Sequence, residues 1–323
     1  MNFARALGCG VAWLLAFGLG SAVLDARAPF PEVPVAAPKL AHLAQHREDF
    51  DALFIGSSRV QFQVMPAIFD QAAATHSFNL GVAGMVPPES LYFARCVLAL
   101  RLPRLKWLFI ELADLDPVID TRNASSARAA YWHDARHTSL AIRDLWSSSR
   151  PTARKLEILA AHARLFATRA AGIGRGAALL APRFTPPARK EKRPAVLENG
   201  GFSTVTTPPL TPDQLGRIRG TLDEMHSRPW PLVPLRPAYR EALLDLAGEI
   251  RRAGVEPVFF IAPNFNWRDR LAAPDAVRLL TFHDEARHAA LLDPRHFADT
   301  VHLNATGAAL FSRALAEEFT AGR

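Results

Sequence analysis

One end of this chain carries a serine in a setting that could make it a nucleophile, and the other end carries the partners it would need. Phe54-Ile55-Gly56-Ser57-Ser58-Arg59 reads as an apolar strand running into a tight turn that presents a serine. Asp299-Thr300-Val301-His302 sets a carboxylate and an imidazole three residues apart, on one face if the segment is helical. A serine hydroxyl is a weak nucleophile until a neighbouring base takes its proton, and that base needs an orienting group. These two segments contain all three groups. Taken singly, Ser58 also suits a helix N-cap and His302 a surface helix position. No other pairing in the sequence offers as much chemistry.

The elements around these segments alternate in type. Ala52–Ile55 is a short apolar run stopped by Gly56, hence a buried strand. Residues 58–74 read as turn and helix, broken or kinked at Pro66. Ser77-Phe78-Asn79-Leu80 is a second strand, ended by Gly81, Gly84 and Pro87-Pro88. An amphipathic helix over 89–100 leads to a third strand at 106–112, followed by an acidic turn at Asp114 and Asp116. A helix over 239–253, a fourth strand at 257–262, a helix near 275–292 and a last helix over 304–320 complete the pattern. Alternating strands and helices imply parallel crossovers, so the expected fold is α/β, a three-layer α/β/α with a mainly parallel sheet.

Between about 117 and 235 the alternation lapses into an Ala/Arg-rich stretch with helices near 138–148 and 152–171, then Pro-rich segments from 182 to 212 and 229 to 237. It reads as a helical insertion in a domain spanning 50–323. Residues 29–49, rich in Pro and Ala, read as an extended tether. Residues 1–28 read as a signal peptide or signal anchor. Ala6 to Leu24 is almost unbroken apolar sequence behind Arg5, about the ~20 residues a bilayer requires, and Ala26-Arg27-Ala28 has the form of a cleavage site. This places the body on the extracytoplasmic, periplasmic side, membrane-anchored or secreted.

The two cysteines, Cys9 and Cys96, cannot build a disulfide framework within the exported body. The formal charge of +7 owes much to Arg183, Arg189, Lys190, Lys192 and Arg193. Only Phe184 accompanies them, so the base-stacking aromatics of a nucleic-acid site are missing, and no nucleic-acid partner is expected. His133 and His137 stand at a metal-compatible spacing but without the Glu of a zinc-protease motif; they read as surface histidines. The sequence calls for no metal and no cofactor.

The strand-borne motifs resemble those of the SGNH (GDSL-type) serine hydrolases. Gly56-Ser57-Ser58 resembles the family's first motif, with Ser57 in place of its Asp. Asn79-Leu80-Gly81-Val82-Ala83-Gly84 resembles the second, and Asp299-Thr300-Val301-His302 the last. The match covers roughly 51–116 and 239–323. It implies an SGNH/flavodoxin-like sheet with its site at the carboxyl ends of the strands. By this resemblance Ser58 is the nucleophile, His302 the base and Asp299 the orienting acid, while backbone N–H groups of Ser58 and Gly84 hold the oxyanion. Arg59, paired with a carboxylate such as Glu89 or meeting an anionic substrate, and Asn79 are candidate substrate-binding residues.

The family's third motif carries an Asn after the third strand, and here Glu111–Asp116 contains none. Losing one oxyanion donor costs about 100- to 1000-fold in rate. Asn264, after the fourth strand, is the candidate substitute. The Gly-Ser-Ser variant resembles membrane-anchored SGNH-like proteins of cell-envelope acylation, such as those of alginate O-acetylation and of D-alanyl transfer to teichoic acid. That implies an esterase or O-acyltransferase acting on acylated carbohydrate, with a multispanning membrane acyltransferase as a further partner. The other reading is a non-catalytic carbohydrate-binding or assembly protein on the same fold.

Overall fold

Three apolar runs, ALFI, WLFIE and EPVFFI, form the centre of a five-stranded sheet. The computed structural model describes residues 3–27, 36–85, 87–113, 127–172, 193–205, 210–228, 230–272 and 274–322. The sheet strands are β1 (Ala52–Ile55), β2 (Ser77–Asn79), β3 (Trp107–Glu111), β4 (Glu256–Ile261) and β5 (Arg278–Thr281). All pairings are parallel, in the order β2-β1-β3-β4-β5. The chain is therefore α/β, as the alternation requires. Strand order reverses between β1 and β3, which opens a crevice at their carboxyl ends.

The helices, in chain order, are α1 (Phe3–Arg27), α2 (Ala36–Gln45), α3 (Ser58–Gln63), α4 (Pro66–Ala73), α5 (Pro87–Ala99), α6 (Ala127–Tyr131), α7 (Ala135–Ser147), α8 (Thr152–Ala170), α9 (Arg193–Glu198), α10 (Pro212–Ser227), α11 (Pro237–Arg252), α12 (Glu285–His288) and α13 (Ala305–Ala321). Alternate strand residues face opposite sides. Phe54, Phe109 and Phe260 meet Phe69 of α4 and Phe311, Leu315 and Phe319 of α13 in one buried cluster. On the other side α5 and α11 pack together, α5 against β1 and α11 against β4. Covered on both faces, the central strands are apolar at nearly every position.

Contacts divide the chain into two units. One comprises 38–116 and 191–323 and holds the sheet; the other comprises 1–37 and 117–190. In the second unit α8 packs with α6 and α7. His133 and His137, expected at the surface, are buried there. His133 Nε2 lies 3.0 Å from His162 Nδ1, and His137 Nδ1 lies 2.7 Å from Asp134, the N-cap of α7. Burial, then the neighbouring His162, lowers the pKa of His133 to about 3, so His133 is neutral. Among the described residues no group of three or more His, Cys, Asp and Glu side chains could hold a metal ion.

Two sequence expectations differ locally. The tether of 29–49 is helical from Ala36: Pro38 falls in the first turn of α2, where a missing N–H costs no hydrogen bond, and Leu40 and Leu43 bury. Residues 275–292 contain β5 and the four-residue α12 instead of one helix. Residues Asp114 and Asp116, the tether's 29–35, and Arg183, Arg189, Lys190 and Lys192 lie outside the described residues. In α1 residues 4–20 and Val23 are exposed, Trp13, Leu14, Leu15 and Leu19 among them. Among the described residues no helix is long and apolar enough to cross a membrane.

Candidate active site

Strand β1 ends at Ile55 and the chain turns through Gly56 into α3. A side chain at Gly56 would strike Val60 and Glu111, so only glycine lets the turn close this tightly against β3. Ser57 takes the N-cap position, its Oγ accepting from Arg59 N at 3.2 Å. The capping role is thus filled by the neighbour, and Ser58, the first helical residue, keeps its hydroxyl for other work. Its Oγ lies 2.7 Å from His302 Nε2.

His302 Nδ1 lies 2.8 Å from Asp299 Oδ2. The other oxygen of Asp299 accepts from Val301 N at 2.7 Å and His302 N at 2.8 Å. The segment is a loop, not the helix that would place the pair on one face. A turn wrapped around the carboxylate aligns it with the ring instead. Phe62 of α3 packs edge-on against the imidazole, ring centroids 5.7 Å apart. Burial, the largest single influence, would raise the Asp299 carboxyl. The His302 imidazole and the two backbone donors outweigh it and hold the carboxyl below its usual range. A carboxylate that stays ionised fixes the imidazole with Nδ1–H toward Asp299 and Nε2 open to the serine proton.

The turn is anchored by charge. Arg59 is 7% exposed and Glu111 is 4% exposed. Arg59 Nε lies 2.6 Å from Glu111 Oε1, an ion pair without good hydrogen-bond alignment. Its Nη1 donates to Asp269 Oδ2 at 2.5 Å. Glu111 Oε2 accepts from Ser57 N at 2.6 Å, tying the end of β3 to the serine turn. Burial alone would lower the Arg59 pKa, but the two carboxylates more than reverse it. Arg59 therefore pairs with Glu111 and Asp269, not Glu89, and its charge is already balanced. Asn79 is fully buried. Its Nδ2 donates to Val60 O and Val64 O, both at 2.7 Å, and its Oδ1 accepts from Gly81 N at 2.8 Å. Asn79, expected at the substrate, is spent on the scaffold, whereas Arg59 braces the turn and also lines the cavity beside Ser58.

Gly84 has φ +71° and lies in an exposed turn. The loop leading to it is pinned to the serine's surroundings: Val82 N donates to Gly56 O at 2.9 Å and Ala83 N to Gln61 Oε1 at 2.8 Å. The N–H groups of Ser58 and Gly84 meet no acceptor among the described residues. Ala113 stands just past β3 at the cavity wall. Asn264 lines the same cavity, with Nδ2 donating to Ala262 O at 2.8 Å and Oδ1 accepting from Asn266 N at 2.8 Å. One of its two amide hydrogens is thereby used to hold the loop after β4.

The cavity has a volume of about 640 Å³ and is also lined by Arg217 and Thr221 of α10 and by Thr300 and Val301. That size suits a small organic substrate. Sequence reasoning missed Glu111, Asp269 and the α10 residues. A lone carboxylate closing the apolar strand WLFIE was the available signal for Glu111. Nothing local marks Arg217 or Thr221. A nucleophile, base and orienting carboxylate in unbroken hydrogen-bond contact beside an open cavity can perform acyl transfer. No protein-family model and no curated protein matches the chain.

Proposed function

We propose that the protein is an exported serine esterase or O-acyltransferase of the SGNH type, acting on acyl esters of cell-envelope or extracellular carbohydrate. The observation that carries this reading is the chain of contacts from Asp299 through His302 to Ser58 Oγ, 2.8 and 2.7 Å long. Ser58 Oγ attacks the ester carbonyl carbon while His302 Nε2 takes its proton. The oxyanion is held by the N–H groups of Ser58 and Gly84. Collapse breaks the ester C–O bond, and His302 returns the proton to the departing alcohol. Water, or a sugar hydroxyl, then attacks the acyl-serine by the same route. Water gives hydrolysis; a sugar gives transfer.

The apolar run from Ala6 to Leu24 behind Arg5 in the sequence supports export and tethering at a membrane. A multispanning acyltransferase would be the partner that feeds such a site. The lack of an Asn in Glu111–Asp116, where the resemblance expects one, favours a second reading: a carbohydrate-binding or assembly protein on the same fold. The test is turnover of 4-nitrophenyl acetate by the full chain. The esterase reading expects a rate that falls by about 1000-fold or more in Ser58→Ala and in His302→Ala. Turnover equal to that of both variants supports the binding reading instead.

A further inference from the structure

Helix α3 carries more of the site than its serine. Gln63, its last residue, is fully buried, and its Nε2 donates to Val301 O at 3.1 Å, across 238 residues of sequence. Val301 belongs to the turn that holds the orienting carboxylate and the base. Its side chain is 44% exposed, so packing does little to fix that turn. Bonds within the turn, from Val301 N and His302 N to Asp299 Oδ1 and from Ala298 N to His302 O, shape it but cannot hold it against another element. Among the described residues, the only hydrogen bonds that reach 299–302 from outside the turn come from α3. One is the bond from Gln63 Nε2, the other the contact between Ser58 Oγ and His302 Nε2.

The peptide group joining Val301 to His302 is a rigid plane, with its carbonyl and its N–H at opposite edges. Gln63 holds the carbonyl edge, and Asp299 Oδ1 accepts from the N–H edge at 2.8 Å. Donation to the carbonyl polarises the group and strengthens its N–H as a donor to Asp299. The bonds close a circuit: Gln63 to the 301–302 peptide, that peptide to Asp299, Asp299 to the imidazole, the imidazole to Ser58, and back along α3 to Gln63. The far end of α3 is itself tied down, since Ser312 Oγ donates to Gln63 O at 3.1 Å and Asn79 Nδ2 to Val60 O and Val64 O. Gln63 Oε1 has no partner. A Leu or Met here would fill the space without burying an unpaired acceptor, so the bond to Val301 is what the amide contributes.

We propose that Gln63 is a positioning residue, which holds the Asp299–His302 turn at the distance from Ser58 that proton transfer requires. Gln63 is not among the residues lining the cavity, so it acts through the turn and not on substrate. Without its donor the turn keeps its internal shape but loses its second anchor on α3, and the imidazole drifts from the serine hydroxyl. The reaction this serves rests on the esterase or acyltransferase reading, but the geometry exists without substrate.

Two variants of the full chain test it. Gln63→Met keeps the length of the side chain and removes the donor; Gln63→Asn keeps an amide that is one methylene too short to reach Val301. In turnover of 4-nitrophenyl acetate, both should lower kcat about 10- to 100-fold with KM within about twofold, because a displaced base slows the chemical step alone. In proton NMR, the imidazole Nδ1–H shared with Asp299 should give a far-downfield resonance that both variants shift upfield or broaden away. Ser312→Ala loosens the same end of α3 without touching the amide; it should lower the melting temperature and leave that resonance in place. The resonance is read without turnover, so a wild-type chain that hydrolyses nothing strikes the esterase reading, while a resonance displaced by the Gln63 variants still supports the positioning role. The proposal is overturned by a resonance that both Gln63 variants leave in place, by wild-type kcat in both, by a loss of rate confined to KM, or by a Ser312→Ala resonance displaced as far as that of Gln63→Met.

Discussion

Replacing Glu111 with Ala should be among the most damaging single changes to this fold, although Glu111 touches neither substrate nor His302. The carboxylate makes two contacts of 2.6 Å, to Arg59 Nε and to Ser57 N. With Glu111 gone, Arg59 keeps only Asp269 in a setting where it is 7% exposed, and the Ser57 N–H loses its acceptor. Removing one partner of a buried ion pair costs about 3–5 kcal/mol, because the remaining charge stays buried. Glu111→Gln keeps the shape and one acceptor for Ser57 N–H but loses the charge, so about half that cost is expected. Equilibrium urea unfolding of the three proteins gives the free energies. The same change loosens the turn that presents Ser58, and a shift of about 1 Å there should slow acylation by about 100-fold. A cost below about 1 kcal/mol for Glu111→Ala would refute the claim that this carboxylate anchors the turn.

Other consequences follow from the same geometry. Lys39 is buried, donates to Gly81 O at 2.8 Å, and has its pKa lowered by burial from 10.5 to about 7. Between those values the unfolded chain binds more protons, so Lys39 makes stability rise with pH by up to about 1.4 kcal/mol per unit, and Lys39→Met should flatten that rise in thermal melts from pH 7 to 10. Gly56→Ala should cost stability and abolish labelling of Ser58 by an active-site probe, because the new methyl group overlaps Val60 and Glu111; a variant that labels normally would show the turn to be tolerant. The Asp299 carboxyl is held below its usual range, so its ionised form adds stability above the ordinary carboxylate pKa and loses it as pH falls through the lowered value. The difference between wild type and Asp299→Asn should therefore be constant above about pH 5 and shrink in acid, as read by pH-dependent melts.

Much of the sheet was legible because its physics is local. Strands β1, β3 and β4 are continuous apolar runs, as burial on both faces demands. β5 was not, since Arg-Leu-Leu-Thr at a sheet edge is too short and too mixed to separate from a helical pattern. The Pro-rich approach to β1 hid α2, whose stability comes from burying Leu40 and Leu43, not from propensity. Ser58, Asp299 and His302 were legible by type and spacing, but the loop that aligns Asp299 was not, because a three-residue spacing fits helix and turn alike. The partners of Arg59 lie 52 and 210 residues away in sequence, at Glu111 and Asp269. Pairings at such range exist only once the strands have assembled, so no local pattern announces them.

The most direct test of the central claim is covalent labelling of the full chain by a fluorophosphonate, with the modified residue mapped by mass spectrometry of the peptides. A nucleophilic serine activated by His302 should carry the adduct on Ser58. Ser58→Ala and His302→Ala should both abolish the adduct, while Ser57→Ala should retain it. Adduct on another residue, or labelling that survives Ser58→Ala, would contradict the account.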